Sequence, residues 1–254
     1  MENGKALEEL IKVMDELLAP EGCPWDREQT HESLQRYLIE ESYEVVEAIQ
    51  EGNQDKLREE LGDVLLQVVF HSALARREGD FDFSDVAITV RDKMIKRHPH
   101  VFGELKLASS DDVMDRWEGF KKQEGKKHLL EGIPSMLPAL MRAEKMQEKA
   151  ARVGFDWPSV DGAIEKFKEE ADELLIAQSP EEVAEEMGDL LFALVNIARF
   201  KGVEPEAALQ ATSNKFARRF KYIEESIQAA GKQFSEYNLE ELDHLWDEAK
   251  ARGL

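Results

Sequence analysis

The chain has 254 residues, 42% of them hydrophobic and 34% charged, which is enough apolar material for a folded core and excludes a disordered chain. Acidic residues number 54 against 33 basic ones, and the formal net charge of -21 excludes a general nucleic-acid binder that must neutralise phosphates. The single cysteine, Cys23, excludes an internal disulfide and a multi-cysteine metal centre and suits a cytoplasmic protein. No apolar run reaches the length of a membrane span, and the start Met1-Glu2-Asn3-Gly4-Lys5 lacks the apolar stretch of a signal peptide.

Along the chain, apolar residues recur at helical spacing and strict alternation is rare, which predicts an all-α fold. After a turn at Gly22-Cys23-Pro24-Trp25, the pattern predicts a helix from about Ser33 to Glu51, a turn at Gly52-Asn53 and a second helix from about Asp55 to Arg77. The run Asp80-Phe81-Asp82-Phe83-Ser84-Asp85 opens like a calcium loop, but Asp85 stands where glycine is required and Arg91 where the closing glutamate belongs, so it is read as an acidic turn. His98-Pro99-His100 fits a helix terminus at least as well as a metal pair. The stretch 124–138, with glycines at 125 and 132 and prolines at 134 and 138, is the expected linker between domains at 1–123 and 139–254. Ser179-Pro180-Glu181-Glu182 combines a capping residue, a first-turn proline and a glutamate three residues after the serine, and begins a helix that runs to about Lys201 before Gly202.

The two halves repeat each other. Residues 57–66 match 183–192 at an offset of 126 (Glu60 to Glu186), residues 40–44 match 169–173 at 129 (Glu41 to Glu170), and the turn before them matches at 132 (Trp25 to Trp157). In the first half Leu34, Leu38, Val45 and Ala48 form an apolar stripe interrupted by Glu41, with Glu44 one turn on. Leu57, Leu61, Val64 and Val68 form the partner stripe, carrying Glu60 and then Asp63. The second half repeats this with Glu170 and Glu173 on one helix and Glu186 and Asp189 on the next. Carboxylates gathered in partly apolar surroundings repel one another and resist desolvation, so a compensating cation is expected. An all-oxygen ligand set favours Mg²⁺, with Mn²⁺ as a substitute. A single acidic run of this kind is usually a solvated face; its recurrence on apolar stripes in both halves argues against that.

Each half also has a basic run downstream: Arg91 to Arg97, with Lys93 and Arg97 on one face, and Lys215 to Lys221, with Lys215 and Arg219 on one face beside Arg218. Such donors suit the non-bridging oxygens of a polyphosphate. Trp117 and Trp246 follow these runs, where each serves either core packing or stacking on a base. Trp25 and Trp157 are structural or lie near a nucleotide. There is no glycine-rich phosphate loop.

With Glu-Glu-x-x-Glu followed by Glu-x-x-Asp in both halves, and with Gly22-Cys23-Pro24-Trp25-Asp26, Arg97-His98-Pro99-His100-Val101-Phe102 and Val153-Gly154-Phe155-Asp156-Trp157, the chain closely resembles the MazG family of nucleoside triphosphate pyrophosphohydrolases. The acidic motif alone also resembles that of all-α dUTP and dCTP hydrolases. The MazG resemblance implies tandem helical domains whose bundles are completed in a homodimer, Mg²⁺ dependence, and hydrolysis of NTPs and dNTPs to monophosphate and pyrophosphate. It carries metal ligation to Glu41, Glu44, Glu60 and Asp63 and to Glu170, Glu173, Glu186 and Asp189. Substrate contact falls to Lys93, Arg97 and Trp117, and to Lys215, Arg219 and Trp246. Glu40 and Glu169, if not fully occupied by metal, would orient or deprotonate the attacking water. The alternatives are a non-catalytic helical adaptor and a narrower pyrimidine dNTP hydrolase.

Overall fold

The computed structural model describes residues 2–103 and 128–254, which are helical with no strand among them. The chain divides into two compact units, Met1–Lys121 and Lys122–Leu254. The first contains α1 (Glu2–Leu18), α2 (Pro24–Glu28), α3 (His31–Glu51), α4 (Gln54–Glu78), α5 (Phe83–Arg97) and α6 (Pro99–Phe102). The second contains α7 (Ala139–Ala151), α8 (Val160–Ile176), α9 (Pro180–Phe200), α10 (Pro205–Ala229), a 3₁₀ turn (Phe234–Glu236) and α11 (Leu239–Ala251). Of the expected linker, residues 124–127 lie outside the described residues. The stretch 128–138 lies in the second unit, where the Lys149 ammonium donates to the carbonyls of Leu129 at 3.0 Å and Glu131 at 3.1 Å.

Capping chemistry sets the two hairpins. Thr30 caps α3, accepting from the Ser33 amide while Ser33 accepts from the Thr30 amide, so the helix starts two residues before the expected Ser33. Gly52 ends it with φ 66°, a left-handed conformation that favours glycine, and the Asn53 side chain then accepts from the Lys56 amide to begin α4. In the second unit, Ser179 and Glu182 form the reciprocal pair at the start of α9, with Pro180 in the first turn. The calcium-like acidic run is spent the same way: Asp82 caps α5 and Asp85 closes the box.

In the first unit α3 packs on α4, and α1 covers α4. Met14, Leu34, Val69, Phe70, Ala73 and Leu74 form its buried core, with Leu18, Tyr37 and Leu66 packed against them. In the second, α8 packs on α9, α7 lies against α9 and α10, and α11 lies against α10. Its buried apolar positions include small residues, Ala163, Ala193 and Ala249, beside Val195, Ile223 and Ile227. The expected apolar stripe on α4 is only partly interior, since Leu61 is 52% exposed.

His31 and His71 stack in the first unit with ring centroids 5.0 Å apart and Nδ1 atoms at 2.7 Å. One nitrogen must carry the proton and the other must be bare. Burial first, and then the charge of His31, push His71 below its ordinary value of 6.5. A histidine with a lowered folded pKa binds fewer protons folded than unfolded, so stability present above pH 6.5 is lost as pH falls through the folded value. Thermal unfolding should therefore show the first unit weakening below that pH. The second unit has Val160 and Ile197 at the matching positions, and the double replacement His31→Val and His71→Ile should flatten the acid limb. An equally steep limb in that variant would assign the acid sensitivity elsewhere.

Candidate metal centres

The short turn between α3 and α4 makes these helices neighbours, and it brings Glu41 beside Glu60 and Asp63. One carboxylate oxygen from each lies within 4.8 Å of the others, and all three residues are half-buried. Glu41 is pushed up to about 7, by burial first, then by a hydrogen bond shared with Glu44, then by the charges of Asp63, Glu44 and Glu60. Glu60 is also raised, by burial and then by Glu44, Glu59 and Asp63, against the pull of Lys56. Glu44 thus belongs to the same group.

In the second unit Glu170 is the centre of the arrangement. It forms one group with Glu169 and Glu173 on its own helix and another with Glu186 and Asp189 across the hairpin, each with ligand oxygens within 4.8 Å. It is only 4% exposed, as expected of a charge placed on an apolar stripe. Burial, and then the charges of Glu173, Glu170, Asp189 and Glu185, raise Glu186. A buried carboxylate needs a cation or a proton, and here the chain supplies one. The Lys166 ammonium lies 2.6 Å from Glu170 and 2.7 Å from Glu169, and these bonds raise its pKa. The matching position in the first unit is Tyr37, whose hydroxyl accepts from Arg36. The two clusters therefore share ligands and differ in how the metal-free charge is balanced. Grouped carboxylates with no nitrogen or sulfur donor fit a hard divalent cation in both.

The other expected site residues divide. Glu40 is exposed, with its charge acting on Arg36, and Glu169 is exposed and tied to Lys166. Lys93 and Arg97 lie on α5, which packs against α4. Lys215, Arg218 and Arg219 lie on α10. The guanidinium of Arg219 sits 5.4 Å from the Trp246 ring centroid, its Nε donates to the Leu254 carbonyl at 2.7 Å, and Phe216 packs on the same indole at 5.1 Å. Arg219 and Trp246 are thus brought together. Among the described residues no ion pair joins Lys215, Arg218 or Arg219 to the carboxylate cluster. Trp117 lies outside the described residues.

Beside the second cluster is a cavity of about 670 Å³ whose wall includes Lys166, Glu170 and Asp189 together with Gln147, Trp157 and Asn196. The sequence reading missed Lys166, Gln147 and Asn196. Lys166 was legible as a basic residue three and four positions before Glu169 and Glu170. Asn196 could have been found through the repeat, because it stands where the first half has Phe70.

The profile of the MazG nucleotide pyrophosphohydrolase domain matches residues 29–102, and that of phosphoribosyl-ATP pyrophosphohydrolase matches residues 140–216. The nucleoside triphosphate pyrophosphohydrolase/pyrophosphatase MazG of Thermotoga maritima is 50% identical over 252 residues, covering 98% of this chain and 97% of that protein. The nucleoside triphosphate pyrophosphohydrolase of Escherichia coli K12 is 42% identical over 254 residues, covering 96% and 97%. An uncharacterized protein of Bacillus subtilis, YabN, is 48% identical over 94% of this chain and 50% of its own length. On these likenesses, spanning both carboxylate hairpins, the chain belongs to the MazG family of nucleoside triphosphate pyrophosphohydrolases.

Proposed function

We propose that the chain hydrolyses nucleoside triphosphates, both NTPs and dNTPs, to monophosphate and pyrophosphate, as a cytoplasmic enzyme that clears the nucleotide pool. The observation that carries this reading is Glu170, buried and grouped with Glu186 and Asp189 across the hairpin, in a chain whose relatives are named for this activity. Both matching profiles describe pyrophosphohydrolases. Mg²⁺, or Mn²⁺ in its place, would be held by Glu170, Glu173, Glu186 and Asp189, and in the first unit by Glu41, Glu44, Glu60 and Asp63; when bound, it supplies charge neutralisation at the phosphates and activation of water. The side chains do the rest. Glu169, exposed beside the cluster, orients the water and accepts its proton. Lys166, already against Glu170, offers its ammonium to arriving phosphate oxygens, as Lys215, Arg218 and Arg219 do from α10. The test is a panel of NTPs and dNTPs with and without Mg²⁺, measuring pyrophosphate and orthophosphate separately. Orthophosphate as the first product would assign a different bond, and no release from any nucleotide would favour a helical adaptor.

Replacing Lys166 with Met leaves Glu170 buried without its ammonium. The metal-free protein should lose roughly 1–2 kcal/mol, discounted for the half-exposed lysine, and Mn²⁺ should restore more stability than it adds to the wild type. Thermal melts with and without Mn²⁺ check both effects; an unchanged metal-free melting point would remove Lys166 from the charge balance.

A homodimer is part of the same reading. Apolar side chains are exposed on the hairpin helices, among them Leu61 at 52%, Leu175 at 82% and Ile176 at 74%, and a second copy would cover such surface. Light scattering at micromolar concentration should give twice the chain mass of 29.0 kDa. A single-chain mass under those conditions would rule the dimer out.

A further inference from the structure

The repeat puts the two units in register, and their interiors differ in a directed way. Met14 corresponds to Met146, Leu18 to Ala150, Leu34 to Ala163, Tyr37 to Lys166 and Phe70 to Asn196. In the first unit these five residues belong to the core or pack against it. In the second unit all five counterparts line the cavity beside the carboxylates. The cavity therefore occupies the position of the first unit's core, opened by smaller and polar side chains at positions that hold leucine and phenylalanine in the other copy. An unfilled void destabilises a fold in proportion to its volume. A space of about 670 Å³ sharing Lys166, Glu170 and Asp189 with the candidate metal centre has the size and position of a ligand pocket.

Its wall indicates what chemistry it takes. Gln147 is 8% exposed, and its Nε2 donates to the Phe192 carbonyl at 2.8 Å. A carbonyl only accepts, so this bond fixes the amide orientation. Oε1 is left as a buried acceptor without a hydrogen-bond partner in the chain. The Trp157 indole adds a flat apolar surface, seated on Gly162 so closely that a methyl group there would come within 2.8 Å of the ring. Arg199, the guanidinium in the wall, is paired with Asp156 and accepted by Asn196 at 2.7 Å. Its charge is already balanced and does not draw a phosphate inward. A flat heterocycle with an N–H donor on its edge fits this wall, and a phosphate does not.

We infer that this cavity receives the nucleobase of the substrate, with a ring N–H or exocyclic amine donated to Gln147 Oε1, while the triphosphate stays on the Lys166 and Glu170 side. This rests on the nucleotide reading above. The first unit has no matching space, because Leu34 and Phe70 fill it. The residues that discriminate between bases are then Gln147 and Trp157 of the second unit.

The test transplants the first unit's residues into the second in the full chain. In Ala150→Leu with Ala163→Leu, calorimetry with Mg²⁺ present should show α,β-methylene ATP, which resists cleavage between its α and β phosphates, bound about tenfold or more weakly. Inorganic tripolyphosphate, which has no base, should bind as it does to the wild type. Unchanged binding of the ATP analogue, or equal weakening of both ligands, would overturn the assignment. Should the double variant fail to fold, Gln147→Met decides the matter. It should weaken the ATP and CTP analogues by different factors and leave tripolyphosphate alone, and a uniform or absent effect would overturn the assignment. Pyrophosphate release from ATP by the wild type is measured in parallel. Its absence, with analogue binding lost in the filled variant, would reject the proposed reaction and keep the base pocket.

Discussion

Glu170→Gln is expected to lower Mg²⁺-dependent pyrophosphate release from the second unit by about a thousandfold or more, the scale seen when a charge that positions the reacting groups is removed. Glu170 belongs to both carboxylate groups of that unit and is buried at their centre. A carboxamide there offers one neutral oxygen and places an NH₂ group among oxygens that need a cation. Lys166 loses its closest partner as well. The fold should tolerate the change, because neutralising one member of a like-charged cluster relieves repulsion on Glu186, which Glu170 helps to raise. The measurements are pyrophosphate release, divalent-ion affinity by calorimetry, and a melting curve to show that the variant is folded. If total turnover falls to background, the second unit carries the reaction. If about half survives and vanishes on adding Glu41→Gln, both units do. Full activity in the double variant would remove both clusters from the mechanism.

How much of this was legible in the sequence depends on the range over which each feature is determined. Helix ends are local, so Gly52-Asn53 and Ser179-Pro180-Glu182 could be read directly from capping rules, and the hairpins follow from them. Glu170 could be expected in the interior because it breaks an apolar stripe. Leu61 lies on a similar stripe and is 52% exposed, since periodicity marks an apolar face without saying what covers it. The acids of the calcium-like run looked like ligands by composition, and Asp82 and Asp85 serve as helix caps because a helix start competes for the same oxygens. The cavity was not legible at all. It depends on α7, α8 and α9 meeting around alanines, and no single helix records that meeting. The substitution of Asn196 for Phe70 between the copies was visible in the repeat, but its meaning requires knowing that Phe70 is buried in the first core.

Divalent-ion binding by the first unit should depend steeply on pH through neutrality, and Glu41→Gln should abolish that dependence together with the binding. In the metal-free chain Glu41 is pushed up to about 7 by burial, by its bond with Glu44 and by the charges around it. No lysine stands beside it as Lys166 stands beside Glu170, because Tyr37 occupies that position. A cation entering this cluster must therefore displace a proton, and apparent affinity should fall by up to about tenfold for each pH unit below 7. The stability consequence has the opposite sign. A carboxyl whose folded pKa is raised from 4.5 to about 7 gives stability that is full below 4.5 and is lost as pH rises through 7. The metal-free first unit should thus weaken between those values, and the glutamine variant, which has no charge to acquire, should be more stable at pH 8 by a few degrees of melting temperature, at roughly 4–8 °C per kcal/mol for a unit of this size. Melting curves of metal-free wild type and Glu41→Gln at pH 5 and pH 8, with Mn²⁺ titrations at both, separate the two effects. A variant that melts below the wild type at pH 8 would show that Glu41 is held by favourable contacts and that the crowding of carboxylates costs the fold nothing.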